Sequence, residues 1–143
     1  APNPAPENEV TYEKISSDNG FTRREISDEE IVDRCVLALI NEGADILHEG
    51  VAQRAADIDV VYINGYGFPI WRGGPMHHAN AMGLDKVVEK LEKYQELTGS
   101  DVYKPSEMLV KLANNGELLG EAPKKEDRKQ KLDFEMSSVA NNF

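Results

Sequence analysis

The apolar positions of this chain recur with the period of a helix almost wherever they cluster. They fall at Ile31, Cys35, Leu39 and Gly43 and, one position later, at Val32, Val36, Ile40 and Ala44. Two adjacent i, i+4 rows lie side by side on a helix and form one broad stripe that a core must cover. Ser27 precedes the run and Glu30 stands three residues on. At that spacing a serine hydroxyl caps free backbone N–H groups and a glutamate reaches back to complete the box. Asp28 and Glu29 add negative charge at the positive end of the helix dipole. Ile46 and Leu47 prolong the stripe and Gly50 stops it, so the helix spans about 30 Å, the diameter of a small domain. Cys35 lies in the stripe and reads as a small buried hydrophobe, not a nucleophile.

The next apolar run, Ile58 to Ile63, is rich in β-branched residues, which favour strand. Ile58, Val61 and Tyr62 nevertheless fit helical spacing, and a lone strand finds no partner in the rest of the chain. A short helix is expected, with Asp57 and Asp59 as carboxylates near its start, where capping is the simple role. Between Gly65 and Pro75 glycines and prolines crowd around Phe68, Trp71 and Arg72. Glycines permit positive φ and close approach, so this stretch reads as a shaped turn, with its aromatics pinned into the core. Pro75–Met82 then reads as a short helix stopped by Gly83. Leu84–Leu97 follows, with Leu84, Val87, Val88 and Leu91 on one face, continued by Tyr94, and Gly99 as terminator. Pro105 suits the first position of a last helix carrying Met108, Leu109 and Leu112 and ended by Gly116. The expected architecture is all-α: five helices around one core.

The ends differ from the middle. Three prolines in the first six residues, then acids and serines, mark residues 1–26 as an extended or mobile linker. Residues 27–120 form the expected helical domain. Residues 121–143 read as a polar tail in which Leu132, Phe134 and Met136 offer a short docking segment.

Charge removes one class of partner. The formal net charge is -10 in 143 residues, and neither end is a basic arm, whereas nucleic acid requires a basic face. The single cysteine excludes an internal disulfide. No apolar run approaches the ~20 residues of a membrane span. The first residues lack the basic start and apolar stretch of a signal peptide, and the last three are not a Ser-Lys-Leu address. A soluble intracellular protein is expected.

Chemistry is sparse. Gly65-Tyr66-Gly67 lacks the third glycine and the helix start of a dinucleotide fingerprint. His77 and His78 are neighbours that diverge on a helix, and His48 is remote, so no metal site is expected. Asp57 and Asp59, at i, i+2, also diverge. Trp71-Arg72 is the most distinctive pair. An arginine there suits a phosphate, a carboxylate or a flat ring, but satisfying carbonyl groups of a glycine-rich turn is the favoured reading. The residues singled out are thus Gly65, Gly67, Phe68, Pro69, Trp71, Arg72, Gly73 and Gly74, as a turn and packing motif.

Three segments carry a family resemblance: Asn41-Glu42-Gly43-Ala44-Asp45-Ile46-Leu47-His48-Glu49-Gly50, then Arg54-Ala55-Ala56-Asp57-Ile58-Asp59, then the run from Gly65 to Met76. Together they resemble the C-terminal domain of 3-hydroxyacyl-CoA dehydrogenases, over roughly residues 20–118. The Trp-Arg-Gly-Gly-Pro segment resembles the second copy of that domain in multifunctional fatty-acid β-oxidation enzymes. The resemblance implies a compact multi-helix domain resembling the 6-phosphogluconate dehydrogenase C-terminal-domain-like fold. It implies a parent with enoyl-CoA hydratase and NAD-dependent dehydrogenase activities, whose catalytic residues lie in other domains. Catalytic, cofactor-binding and metal residues are therefore expected to be absent from this fragment. NAD belongs to the parent, and the fragment is expected to be inactive alone.

The implied partners are the NAD-binding and first helical domains, with acyl-CoA contacted indirectly and a homodimer as a further option. The implied compartment is cytoplasmic in a bacterium, peroxisomal or mitochondrial in a eukaryote. In the family's first copy, an asparagine in a Gly-Phe-x-x-Asn-Arg helix start lies close to the substrate, and Asp33 stands at the matching place here. A carboxylate cannot donate the amide hydrogen bonds of asparagine, so the departure implies a packing role. The rival expectation is a free-standing acidic helical module that binds a protein partner.

Overall fold

The structure is a computed structural model that describes residues 6–20 and 22–123. The helices are α1 Pro6–Asp18, α2 Asp28–His48, α3 Ala55–Gly65, α4 Pro75–Met82, α5 Leu84–Thr98 and α6 Glu107–Asn115. Short 3-10 turns occupy Ile70–Arg72 and Asp101–Tyr103. Among the described residues the sole β feature is an isolated bridge between Arg54 and Glu121. The fold is all-α, and α2 to α6 are the five helices expected. The chain divides into two units, residues 1–31 and 32–143.

Residues 1–26, expected to be extended, contain α1. Pro6 occupies its first position, where the missing proline N–H costs nothing because no helical partner exists for it. Val10 and Ile15 on this helix are exposed. The first unit also holds the start of α2. There the Ser27 hydroxyl accepts the Glu30 N–H at 3.2 Å, and the Glu30 carboxylate takes the Arg24 guanidinium.

In the second unit α2 buries Leu37, Ile40, Ala44 and Leu47. Both expected rows are displaced at their starts: Ile31 and Cys35 of the first row and Val32 of the second are exposed. The buried-hydrophobe reading of Cys35 is therefore corrected. The buried face is rotated toward Leu37, and the Asp33 and Arg34 turn of α2 meets its neighbours through polar side chains instead of apolar ones. Against α2 sit Ile58 of α3, Met76 and Ala79 of α4, Leu84, Val87, Leu91 and Tyr94 of α5, and Leu109 of α6. Gly43 lets α2 approach α4, since a Cβ there would lie 2.5 Å from the Met76 methyl. Small residues at crossings allow such approach.

Helix stops are as local chemistry dictates. Gly99 and Gly116 adopt left-handed conformations (φ 66° and 67°) and donate their N–H groups back to the last turns of α5 and α6. The start of α6 is two residues later than expected: Pro105 lies outside, and Ser106 is the cap position. Beyond α6, Asn80 of α4 pairs both ways with the Leu119 backbone, at 2.9 Å each. Ala55 N–H donates to Gly120 and Ala122 N–H to Gln53, which closes the end of the described chain onto the start of α3. The tail from residue 124, with Leu132, Phe134 and Met136, lies outside the described residues.

Candidate functional site

The glycine-rich turn between α3 and α4 is the most elaborated local structure. Phe68 enters the core, and its N–H donates to Tyr62 O at 3.0 Å. The other aromatics do not follow it. Trp71 is 76% exposed, so the expectation that the turn is pinned into the core by its aromatics holds for Phe68 and is corrected for Trp71; Tyr66 is 75% exposed as well. Ile70 is equally exposed, and Pro69 precedes it at the cap of the 3-10 turn. Tyr66 instead stacks loosely on Tyr62, ring centroids 5.3 Å apart. The turn has buried one anchor and presents three large apolar side chains outward.

What shapes the turn is a carboxylate from α3. Asp59 is buried and accepts the N–H of Met76 at 2.7 Å and of His77 at 3.1 Å, the free donors at the start of α4. Capping was the expected role for Asp59, but of its own helix; the helix it caps is the next one. Gly74, at the cap position itself, has no side chain to offer, and its φ of 94° suits glycine. A Cβ on Gly74 would lie 2.4 Å from the Asp59 carboxylate oxygen. Gly73, φ 76°, is similarly crowded by the His77 ring. Burial pushes the Asp59 carboxyl above its usual range, and the Met76 and His77 amides oppose that push. Asp57 takes a different part: its carboxylate pairs with Arg54 at 2.7 Å on the surface, and that guanidinium lowers its pKa.

Arg72 lies on side chains of the turn, not on its carbonyl groups. Its guanidinium carbon is 4.6 Å from the Trp71 ring centroid, and Nη1 donates to His78 Nε2 at 3.1 Å. The Arg72 carbonyl accepts from His77 Nδ1 at 3.3 Å. Burial first, then the Arg72 and His77 charges, hold the His78 pKa below the usual 6.5.

These residues do not fit a dinucleotide. Gly65 and Gly67 lie at the C-terminal end of α3, the negative end of its dipole, whereas a pyrophosphate needs the positive end. The nearest positive end, that of α4, already holds the Asp59 carboxylate. His48 sits alone in the last turn of α2. Among the described residues no three of His, Cys, Asp or Glu converge on a metal position. None of the described helices is long and apolar enough to cross a membrane.

A second polar cluster escaped the sequence reading. Asn41, inside the buried stripe of α2, donates to Val102 O at 3.1 Å and Lys104 O at 2.8 Å, and accepts Ser106 N–H at 2.8 Å. It clamps the segment leading into α6, beside an open cleft of about 320 Å³. Its only signal in the sequence is an asparagine interrupting an apolar stripe. Asp33 accepts from Lys90 and, at 3.3 Å, from Tyr94, both on α5. Arg34 beside it donates to Tyr103 at 3.2 Å. These contacts bind helix to helix, and no nucleophile meets a base in either cluster.

Residues 31–126 match the family model described as 3-hydroxyacyl-CoA dehydrogenase, C-terminal domain. The chain is 46% identical over 105 residues to a peroxisomal bifunctional enzyme of Danio rerio, covering 73% of this chain and 15% of that protein. It is 48% identical over 95 residues to the Homo sapiens protein of the same name, covering 65% and 13%. It is 34% identical over 113 residues to a fatty acid oxidation complex subunit alpha of Colwellia psychrerythraea, covering 79% and 15%. The chain thus spans a small part of the length of each relative. With an all-α fold and a match over well more than half its length, the chain belongs to the 3-hydroxyacyl-CoA dehydrogenase C-terminal domain family.

Proposed function

We propose that this domain is the second helical copy in a multifunctional β-oxidation enzyme, where it packs against the first copy and supports the acyl-CoA site without carrying out chemistry. The parent would hydrate enoyl-CoA and oxidise 3-hydroxyacyl-CoA with NAD in its other domains. One observation supports this reading above others. Ile70, Trp71 and Tyr66 are each about three-quarters exposed on a turn whose backbone is held by the buried Phe68 and by the Asp59 cap. A rigid turn that presents large apolar side chains to water favours burying them against another surface. The peroxisomal names of the animal relatives suggest that compartment for a eukaryotic parent.

The test is reconstitution. The chain is mixed with the separately expressed remainder of its parent polypeptide, and association is measured by calorimetry. Binding is expected, and Trp71→Ala should weaken it by about tenfold or more, the effect of losing an interface tryptophan. Absence of binding overturns the packing role. In parallel, the chain alone should not oxidise NADH with acetoacetyl-CoA, and turnover there would overturn the non-catalytic reading.

A further inference from the structure

We propose that Trp71, Arg72 and His78 form a proton-operated latch, in which neutral His78 holds the guanidinium over the indole and protonated His78 releases it. The geometry fixes the charge state. A guanidinium only donates, so at 3.1 Å from Arg72 Nη1 the His78 Nε2 must be the acceptor, with its ring neutral and its proton on Nδ1. A second ring proton would set donor against donor and cation against cation. The guanidinium carbon is simultaneously 4.6 Å from the Trp71 centroid, within the range of a cation–π contact. Losing the Nε2 acceptor therefore removes one of the two contacts that place Arg72 on the indole.

The charged surroundings of His78 give protonation nothing to gain. From the 3-10 turn comes Arg72, and from its own helix His77, whose Nδ1 is engaged by the Arg72 carbonyl. From α3 comes Asp59, whose carboxylate is held by the Met76 and His77 amides. On α5 the first acidic residue, Asp85, lies beside Gly83 at the other end of α4. Among the described residues no hydrogen bond or ion pair joins His78 to a carboxylate. Burial first, and then the Arg72 guanidinium beside it, lower its pKa, so the latch opens in mild acid.

The consequence for docking rests on the packing reading, because Trp71 belongs to the face offered there. The latch itself is read on the full chain alone. Trp71 is the single tryptophan, so its emission reports the indole environment without labelling. Emission is followed from about pH 8 to about pH 5, with far-UV circular dichroism as the check on folding. A titration with its midpoint below 6.5 is expected in the wild type. His78→Gln, whose side-chain oxygen still accepts from Arg72, should abolish it. In Arg72→Gln, the His78 ring followed by NMR should titrate at a higher pH than in the wild type. A flat wild-type profile, a midpoint at or above 6.5, a titration that survives in His78→Gln, or an unmoved ring midpoint in Arg72→Gln each overturns the latch. A failed reconstitution would leave these results intact, and a flat emission profile would leave the packing reading intact.

Discussion

Asp59 of α3 accepts the backbone N–H of Met76 at 2.7 Å and so supplies, from 17 residues away, the cap that Gly74 lacks. One carboxylate thereby couples the position of α3, the shape of the glycine-rich turn and the start of α4.

Removing that carboxylate should loosen the turn. Asp59→Ala leaves buried N–H donors without a partner, a loss of about 1–3 kcal/mol. Gly74→Ala should be at least as damaging, because its Cβ would collide with the Asp59 side chain and the backbone there has positive φ. Thermal melts of both variants check this. Melting temperatures equal to the wild type would show that the cap carries no weight.

The Asp59 carboxyl also gives stability a particular pH dependence. Its folded pKa lies above the ordinary 3.8, so the folded state binds that proton more tightly than the unfolded state. The resulting stabilisation is fully present below 3.8 and is lost as pH rises through the folded value. The wild type should therefore gain on Asp59→Asn as pH is lowered toward the ordinary carboxylate range. Denaturant titrations of both proteins at several pH values measure the difference. A gap that does not change with pH, or that narrows in acid, would contradict the sign.

Asn41 satisfies three backbone groups on the segment that enters α6. Asn41→Ala should cost about 2–3 kcal/mol, since orphaned polar groups keep their desolvation penalty. Because the loss is local, amide exchange in residues 102–110 should accelerate more than exchange in α3. Uniform acceleration would argue against a clamp.

Asp33→Asn introduces the residue type expected at that place from the resemblance to the family's first copy. Its partner Lys90 and its own side chain are partly exposed, so the expected cost is about 0.5–1 kcal/mol. The variant should gain no dehydrogenase activity. Activity appearing in the isolated variant would mean that Asp33 occupies a substrate position after all.

Local chemistry was legible to within a residue or two. Ser27 caps α2, Gly83 ends α4, and Gly99 and Gly116 end α5 and α6, because each decision is made within one helical turn of the residue concerned. The short helix through Val60 and Val61 was legible too, although β-branching argued against it, since no second strand existed to pair. The Trp71-Arg72 pair stood out as a pair, but its exposure did not. Aromatic residues among glycines look the same in sequence whether a turn folds inward or outward.

What the amino-acid order determined by itself was where α2 to α6 begin and stop, to within about two residues, and the all-α class that follows; α1, in a stretch read as extended, was not legible. What the tertiary structure decided was facing and partnership: that Cys35 looks outward while Leu37 looks in, that Asp59 caps α4 instead of α3, and that Asn41 holds a segment more than 60 residues away. The physical reason is range. Capping and propensity act over a few residues of chain, whereas burial and long-range hydrogen bonds depend on which helices meet.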